Sequence, residues 1–195
     1  MSYTRLSMNF QPKTAQYPRR RFLSAGLAAW ASCHSLAMVP ALAASNSPDA
    51  RAAPPMTHAI TDENDTSFTL QTLRGRPLLI NFWASWCAPC IAELPALCRA
   101  AAALADDGVT VLLVSIDRGG AKKGLPFLET HGVAAVENVK FGFDPRAKLS
   151  REMEVRGLPT SFVIPPGQKA AWRFVGPFEW DEPEMLEMIR TLVAD

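Results

Sequence analysis

Cys87 and Cys90, three residues apart in Trp86-Cys87-Ala88-Pro89-Cys90, are the pair in this 195-residue chain most able to do chemistry. A cysteine at the first turn of a helix meets free backbone N–H groups and the positive end of the helix dipole, which stabilise a thiolate. Cys87 is expected in that place, as an attacking nucleophile with a lowered pKa. Cys90, one turn on, can reach back to close a disulfide and expel a partner held as a mixed disulfide. Pro89 is tolerated because the first turn has no hydrogen bond for its missing N–H to lose. Trp86 is expected to cover the pair. A structural disulfide is a weaker reading, because so small a loop gains little from closure. Zinc is weaker too: it wants about four ligands. His58 and His131 have no ligand-like partner nearby in the sequence. No metal and no cofactor are expected.

The elements that must position the pair read as alternating strands and helices. Leu78–Ala84 is a continuous apolar run of strand length, as in a strand buried on both faces. Cys87–Ala105 reads as a helix, ended by Asp106-Asp107-Gly108. Val109–Ile116 is a second buried strand. Lys122–His131 is predicted helical and Lys122-Lys123 solvated. Val139–Phe143 is a short strand and Pro145–Met153 a short helix. Ser161–Ile164 and Ala171–Val175 are two further strands, and Thr66–Gln71 a weak one. Glu182–Ala194 is an amphipathic helix with Met185, Leu186, Ile189 and Val193 as its apolar stripe. Trp172 and Trp180 are expected at the core edge and in a loop lid, with a partner-contact surface as the alternative. The order predicts an α/β domain over 66–195, with a mixed sheet and helices on both faces.

The charge balance of 20 basic and 19 acidic residues conceals an asymmetry. Residues 1–43 hold Arg5, Lys13, Arg19, Arg20 and Arg21 and no acid, leaving 15 basic and 19 acidic side chains in the other 152. A mildly acidic body argues against nucleic-acid binding, which wants a clustered basic face. Arg19-Arg20-Arg21-Phe22-Leu23, a soft apolar stretch and Ala41-Leu42-Ala43 have the parts of a twin-arginine-like signal peptide. Phe22–Ala43 is alternatively long enough to remain as a membrane anchor. Either reading puts the body outside the cytoplasm, in the periplasm, where disulfide chemistry operates. Residues 44–65, rich in Pro, Ala, Ser, Asp and Asn, read as a flexible lead-in. Cys33 would leave with the leader. Cys98, eight residues beyond Cys90, reads as a small core residue, with a third redox thiol or a dimer-forming thiol as the rival.

Asn81-Phe82-Trp83-Ala84-Ser85-Trp86-Cys87-Ala88-Pro89-Cys90 resembles the active-site strand and helix start of the thioredoxin-like superfamily. Val155-Arg156-Gly157-Leu158-Pro159-Thr160 resembles its second signature. With Glu93-Leu94-Pro95 and the run Pro159–Ile164, the chain is most similar to exported TlpA/ResA-type thiol–disulfide oxidoreductases, over roughly Phe68 to Val193. The resemblance implies a thioredoxin-like fold and a cis Leu158–Pro159 bond facing the cysteines. It also implies client contact through Trp86, Ala88, Pro89, Leu158 and Pro159, with the backbone before Pro159 pairing with the client's extended chain. Many cytoplasmic thioredoxins carry a buried acid where Asn81 stands. In the ResA-like branch an acid three residues after the second cysteine is the proposed substitute, and here that is Glu93. The rival reading of Glu93 is a solvated helix residue.

The implied partners are proteins with cysteine pairs, apocytochrome c or copper-site proteins among them, and a membrane electron donor that keeps the pair reduced. Leu158-Pro159-Thr160 departs from the Ala-Pro-Glu-Thr of dedicated cytochrome-maturation reductases, which loosens that client. A monomer is expected. Two alternatives stay open. One is a net oxidase that donates disulfides. The other is a copper-delivery module on the same fold, although such modules usually space their cysteines Cys-x-x-x-Cys and add a histidine.

Overall fold

The apolar run ahead of the cysteines forms strand β4, Leu78–Trp83, and all six of its side chains are buried. The computed structural model describes residues 48–133 and 138–194; the predicted leader 1–43 and Cys33 lie outside the described residues. β4 runs parallel to β5, Thr110–Ser115, on one side and antiparallel to β7, Thr160–Ile164, on the other. β6, Val139–Phe143, continues the parallel side, and β8, Ala170–Val175, continues the antiparallel side. Three short strands complete the sheet: β1, Asp49–Ala52, β2, Ile60–Thr61, and β3, Ser67–Phe68. The order across its eight strands is β1-β8-β7-β4-β5-β6-β2-β3. The mixed sheet is therefore as expected. The weak strand predicted over Thr66–Gln71 shortens to β3 and gives way to a 3-10 turn over Leu70–Leu73.

The pleat of the strands sorts their side chains into two cores. Leu79 and Trp83 of β4 face α1, Ala88–Ala103, α2, Ala121–Thr130, and α4, Pro183–Val193, meeting Leu94, Leu97, Leu128 and Ile189. Leu78, Ile80 and Phe82 face the other way, onto Leu149 and Met153 at α3, Lys148–Glu152. Helices thus lie on both faces of this thioredoxin-like fold, but among the described residues the second face has only the five-residue α3. Chain that precedes the sheet's main strands supplies the missing cover: Met56 and Ile60 are each 2% exposed, and Leu70 is fully buried.

This corrects the expectation of a flexible lead-in over 44–65, because its described part is structured. A polar composition hid two well-placed apolar residues, and the sheet face left bare by α3 gives them somewhere to go. β1 pairs along β8, and Asp49 and Arg51 tie it down through Arg51–Asp49 at 2.7 Å, Arg173–Asp49 at 2.9 Å and Arg51–Glu154 at 3.0 Å. Gly142 in β6 makes room for this segment, since a Cβ there would come within 2.7 Å of the Ile60 Cδ1. Among the described residues, no helix is long and apolar enough to cross a membrane.

Met56→Ala should therefore lower stability by about 2–5 kcal/mol, as for other fully buried Met or Leu truncations. Chemical denaturation measures it, and an unchanged midpoint would mean that the segment is not packed in solution.

Candidate redox site

Chain leaving β4 turns through Ala84, Ser85 and Trp86 and enters α1 at once, with Cys87 as the N-cap residue. Cys87 and Cys90 are joined as a disulfide, with Cα atoms 5.3 Å apart. The Cys90 backbone N–H donates to Cys87 Sγ at 3.3 Å. That bond comes from one of the free N–H groups of the first turn, a donor able to stabilise charge on the sulfur. Pro89 sits in the first turn as anticipated. The two sulfurs are not equivalent. Cys87 is 6% exposed and borders an open groove, while Cys90 is wholly buried behind it.

Glu93 is 4% exposed, which removes the solvated reading. It lies three residues after Cys90 on the same buried side of α1, as i and i+3 require. Its Oε1 accepts from Asn81 Nδ2 at 2.6 Å, and its Oε2 accepts from the Phe178 N–H and from Trp180 Nε1, each at 3.2 Å. Asn81 Nδ2 also donates to Ser161 Oγ at 2.9 Å, so β4, α1 and the loop before α4 meet at the carboxyl group and β7 joins them through Asn81. Burial pushes the Glu93 pKa up to about 7; the donors Phe178, Asn81 and Trp180 hold it from rising further. A shallow cleft of about 150 Å³, lined by Pro89, Ala92, Glu93, Pro177, Phe178 and Glu179, gives this group a way to solvent. Trp180, expected at the core edge or in a lid, is fully buried and stacks edge-on with Phe174 at 5.3 Å. Trp172 is partly buried against the same core.

Asp117, just after β5, was not singled out by the sequence. It is 1% exposed and accepts from the Ser85 N–H at 2.8 Å and from Ser85 Oγ at 2.9 Å, pinning the turn that carries Trp86 and Cys87. Burial alone would raise its pKa, but these bonds and Lys123 Nζ at 3.2 Å hold it below the usual carboxylate range. Lys123 is thus exposed as expected, but it lies on α2 and pairs with Asp117. The missed signal was positional: Asp117 follows the carboxyl end of a parallel strand, where α/β sheets gather functional groups.

Trp86 is 66% exposed, so it borders the cysteine groove rather than sealing it. The expected cover over the pair is absent because Asp117 holds the turn through Ser85 and leaves the indole on the rim. Ala88 and Pro89 are exposed beside it, and Leu158 lines the opposite wall of this groove of about 500 Å³. The Leu158–Pro159 peptide bond is cis. Pro159 is itself buried, and its carbonyl accepts from the Gly176 N–H at 3.0 Å. The structure thus brings together Trp86, Cys87, Ala88, Pro89 and Leu158 at one groove, with Cys90 and Glu93 behind it. Cys98 stands apart, half-buried against the helix-covered core, and burial pushes its thiol pKa up.

The chain also resembles known proteins as a whole. Residues 50–173 match the AhpC/TSA family. The thiol:disulfide interchange protein HelX of Rhodobacter capsulatus is 33% identical over 162 residues, 82% of this chain and 83% of that protein. The thiol-disulfide oxidoreductase ResA of Bacillus subtilis is 29% identical over 55% of this chain and 58% of its own length. Among solved structures, the exposed lipoprotein thioredoxin of Streptococcus pneumoniae superposes with a TM-score of 0.54 at 28% identity, over 69% of this chain and 98% of that one.

The burial of Glu93 has a measurable sign. In the unfolded chain the group ionises near its ordinary 4.5, but in the fold only near 7. Ionisation therefore costs stability as pH rises from about 4.5, with a full cost of about 3 kcal/mol above pH 7. Glu93→Gln, a neutral isostere, should gain stability on the native protein between about pH 5 and pH 8 in chemical denaturation. A difference constant across that range would show that Glu93 ionises normally.

Proposed function

Because the chain belongs to the AhpC/TSA family and is a thioredoxin-like thiol–disulfide oxidoreductase, we propose that it acts outside the cytoplasm as a reductase of disulfides in client proteins. The observation that carries this reading is the inequality of the two sulfurs. Cys87 borders the groove at the N-terminus of α1 with an N–H on its sulfur, and Cys90 waits behind it. The reduced pair would work in two steps. The Cys87 thiolate attacks one sulfur of a client disulfide; the client S–S bond breaks and its other sulfur leaves with the electron pair and takes a proton. Cys90 then passes its thiol proton to the Glu93 carboxylate and attacks Cys87 Sγ. The second client sulfur is expelled, and the Cys87–Cys90 disulfide remains. The client gains two electrons and two protons, and a membrane-bound dithiol donor returns two electrons to the pair.

Glu93 suits the proton role because a group near pKa 7 can take and give a proton at neutral pH at little cost. Leu158 supports strand-like docking of the client. It makes no backbone hydrogen bond among the described residues and lies two residues before β7 begins to pair, so its N–H and C=O are open beside Cys87. The basic, apolar and Ala-x-Ala character of residues 1–43 supports export, with a twin-arginine-like leader or a retained anchor as the two means.

Cys90→Ala should accumulate clients on Cys87 as mixed disulfides resolved by non-reducing electrophoresis, and Cys87→Ala should trap none. Capture through Cys90 or Cys98 instead would remove this order of events. Direction is read by equilibrating the protein with glutathione buffers: a reductase stays oxidised except in strongly reducing mixtures, with a potential nearer about −270 mV than about −120 mV. In single-turnover exchange, the resolving step should bend near pH 7 and lose that bend in Glu93→Gln.

A further inference from the structure

A second groove, of about 560 Å³, opens on the far side of Trp86. It shares Trp86, Ile116, Ala147 and Arg151 with the cysteine groove, so the two form one trough crossed by the indole. Its character is different. Arg118, Lys123, Arg146 and Arg151 line it, and Arg156 stands on the cysteine side. The acid in its wall, Asp117, is buried and already engaged by Ser85 and Lys123. Asp144 nearby is also buried, its carboxylate accepting from the Lys148 and Ser150 N–H groups at the start of α3.

Arg118, Arg146, Arg151 and Arg156 are exposed, and none of them makes an ion pair among the described residues. Elsewhere Arg51, Arg99, Arg173 and Arg190 each have a carboxylate partner. Arg74 and Arg76, in the turn before β4, are the other two described arginines without one. Unpaired guanidinium groups thus gather around the trough of a body whose net charge, leader aside, is −4. The mildly acidic average conceals this local cluster of positive charge.

We infer that the trough selects client segments with acidic residues close to the reactive cysteine. The inference rests on the proposed exchange with client chains. A client extended along Leu158 with its cysteine at Cys87 advances about 3.3 Å per residue. Side chains about two to four residues away then pass Trp86 and enter the basic groove. Guanidinium groups without partners offer forked donors matched to a carboxylate. Their field also speeds encounter with an acidic segment, an effect that salt suppresses.

The test uses the full-length reduced protein and two synthetic peptides with the same disulfide. One carries Asp and Glu about two to four residues from the attacked cysteine, and the other carries Asn and Gln there. The acidic peptide should react about tenfold faster at low ionic strength. The ratio should fall toward one at about 1 M salt, where the screening length is about 3 Å. Arg118→Glu combined with Arg146→Glu should bring the ratio to one or below. The ratio compares two substrates on one sample, and the salt series needs no variant, so a poorly folded variant cannot decide the result. Equal rates in the native protein overturn the acidic preference and leave disulfide exchange standing. Reaction with neither peptide overturns both.

Discussion

α1 must begin where β4 ends, and β4 is buried on both faces at the centre of the sheet. That constraint organises the site. Only three residues separate the strand from the N-cap, and their polar backbone groups need partners at once. The Cys87 N–H finds the Ala84 carbonyl at 3.0 Å, and the Ser85 N–H finds Asp117. Asp117 is on hand because β4 and β5 are parallel, with Trp83 opposite Ser115, so both strands release their chains at the same edge. The reactive cysteine therefore owes its place to sheet topology as much as to the helix that it caps.

Behind the cysteines, the same strand sets a polar group into an apolar layer. The pleat that sends Leu79 and Trp83 toward α1 sends Asn81 there too, between them. Asn81 lies opposite Ser161 in register and donates to it, and Glu93 reaches Asn81 from the helix above. A carboxyl group so placed destabilises the fold whenever it ionises. In return it titrates in the range where thiols exchange protons, which an exposed glutamate would not do.

Much of this was legible in the chain. Continuous apolar runs announced β4 and β5, and the cysteine spacing after the first of them announced the helix start. Asn81 was visible as the one polar residue in Leu78–Trp83, and Glu93 by its distance from Cys90. Other features were hidden for physical reasons. Asp49–Ala52 has no apolar pattern because β1 joins through backbone pairing and ion pairs rather than a buried face. Met56 and Ile60 look isolated until the bare side of the sheet is seen. Trp180 donates to Glu93 across 87 residues of sequence, and local spacing cannot foresee such a contact. The arginines are scattered from Arg118 to Arg156 and become neighbours only when the ends of β5 and β6 are brought side by side.

The margins of the sheet carry a further consequence. Its outermost strands are β1, four residues long with Asp49 and Arg51 committed to ion pairs, and β3, two residues long. β1 is short and charged and β3 has two residues, so neither serves well as a template for another extended chain. β8, which would otherwise offer six residues of open backbone, is occupied by β1. An oxidoreductase that meets loosely folded chains risks collecting them along any free strand, far from its cysteines. Here β1 covers the β8 edge along four residues, while the backbone at Leu158 stays without a partner among the described residues beside the cysteine groove.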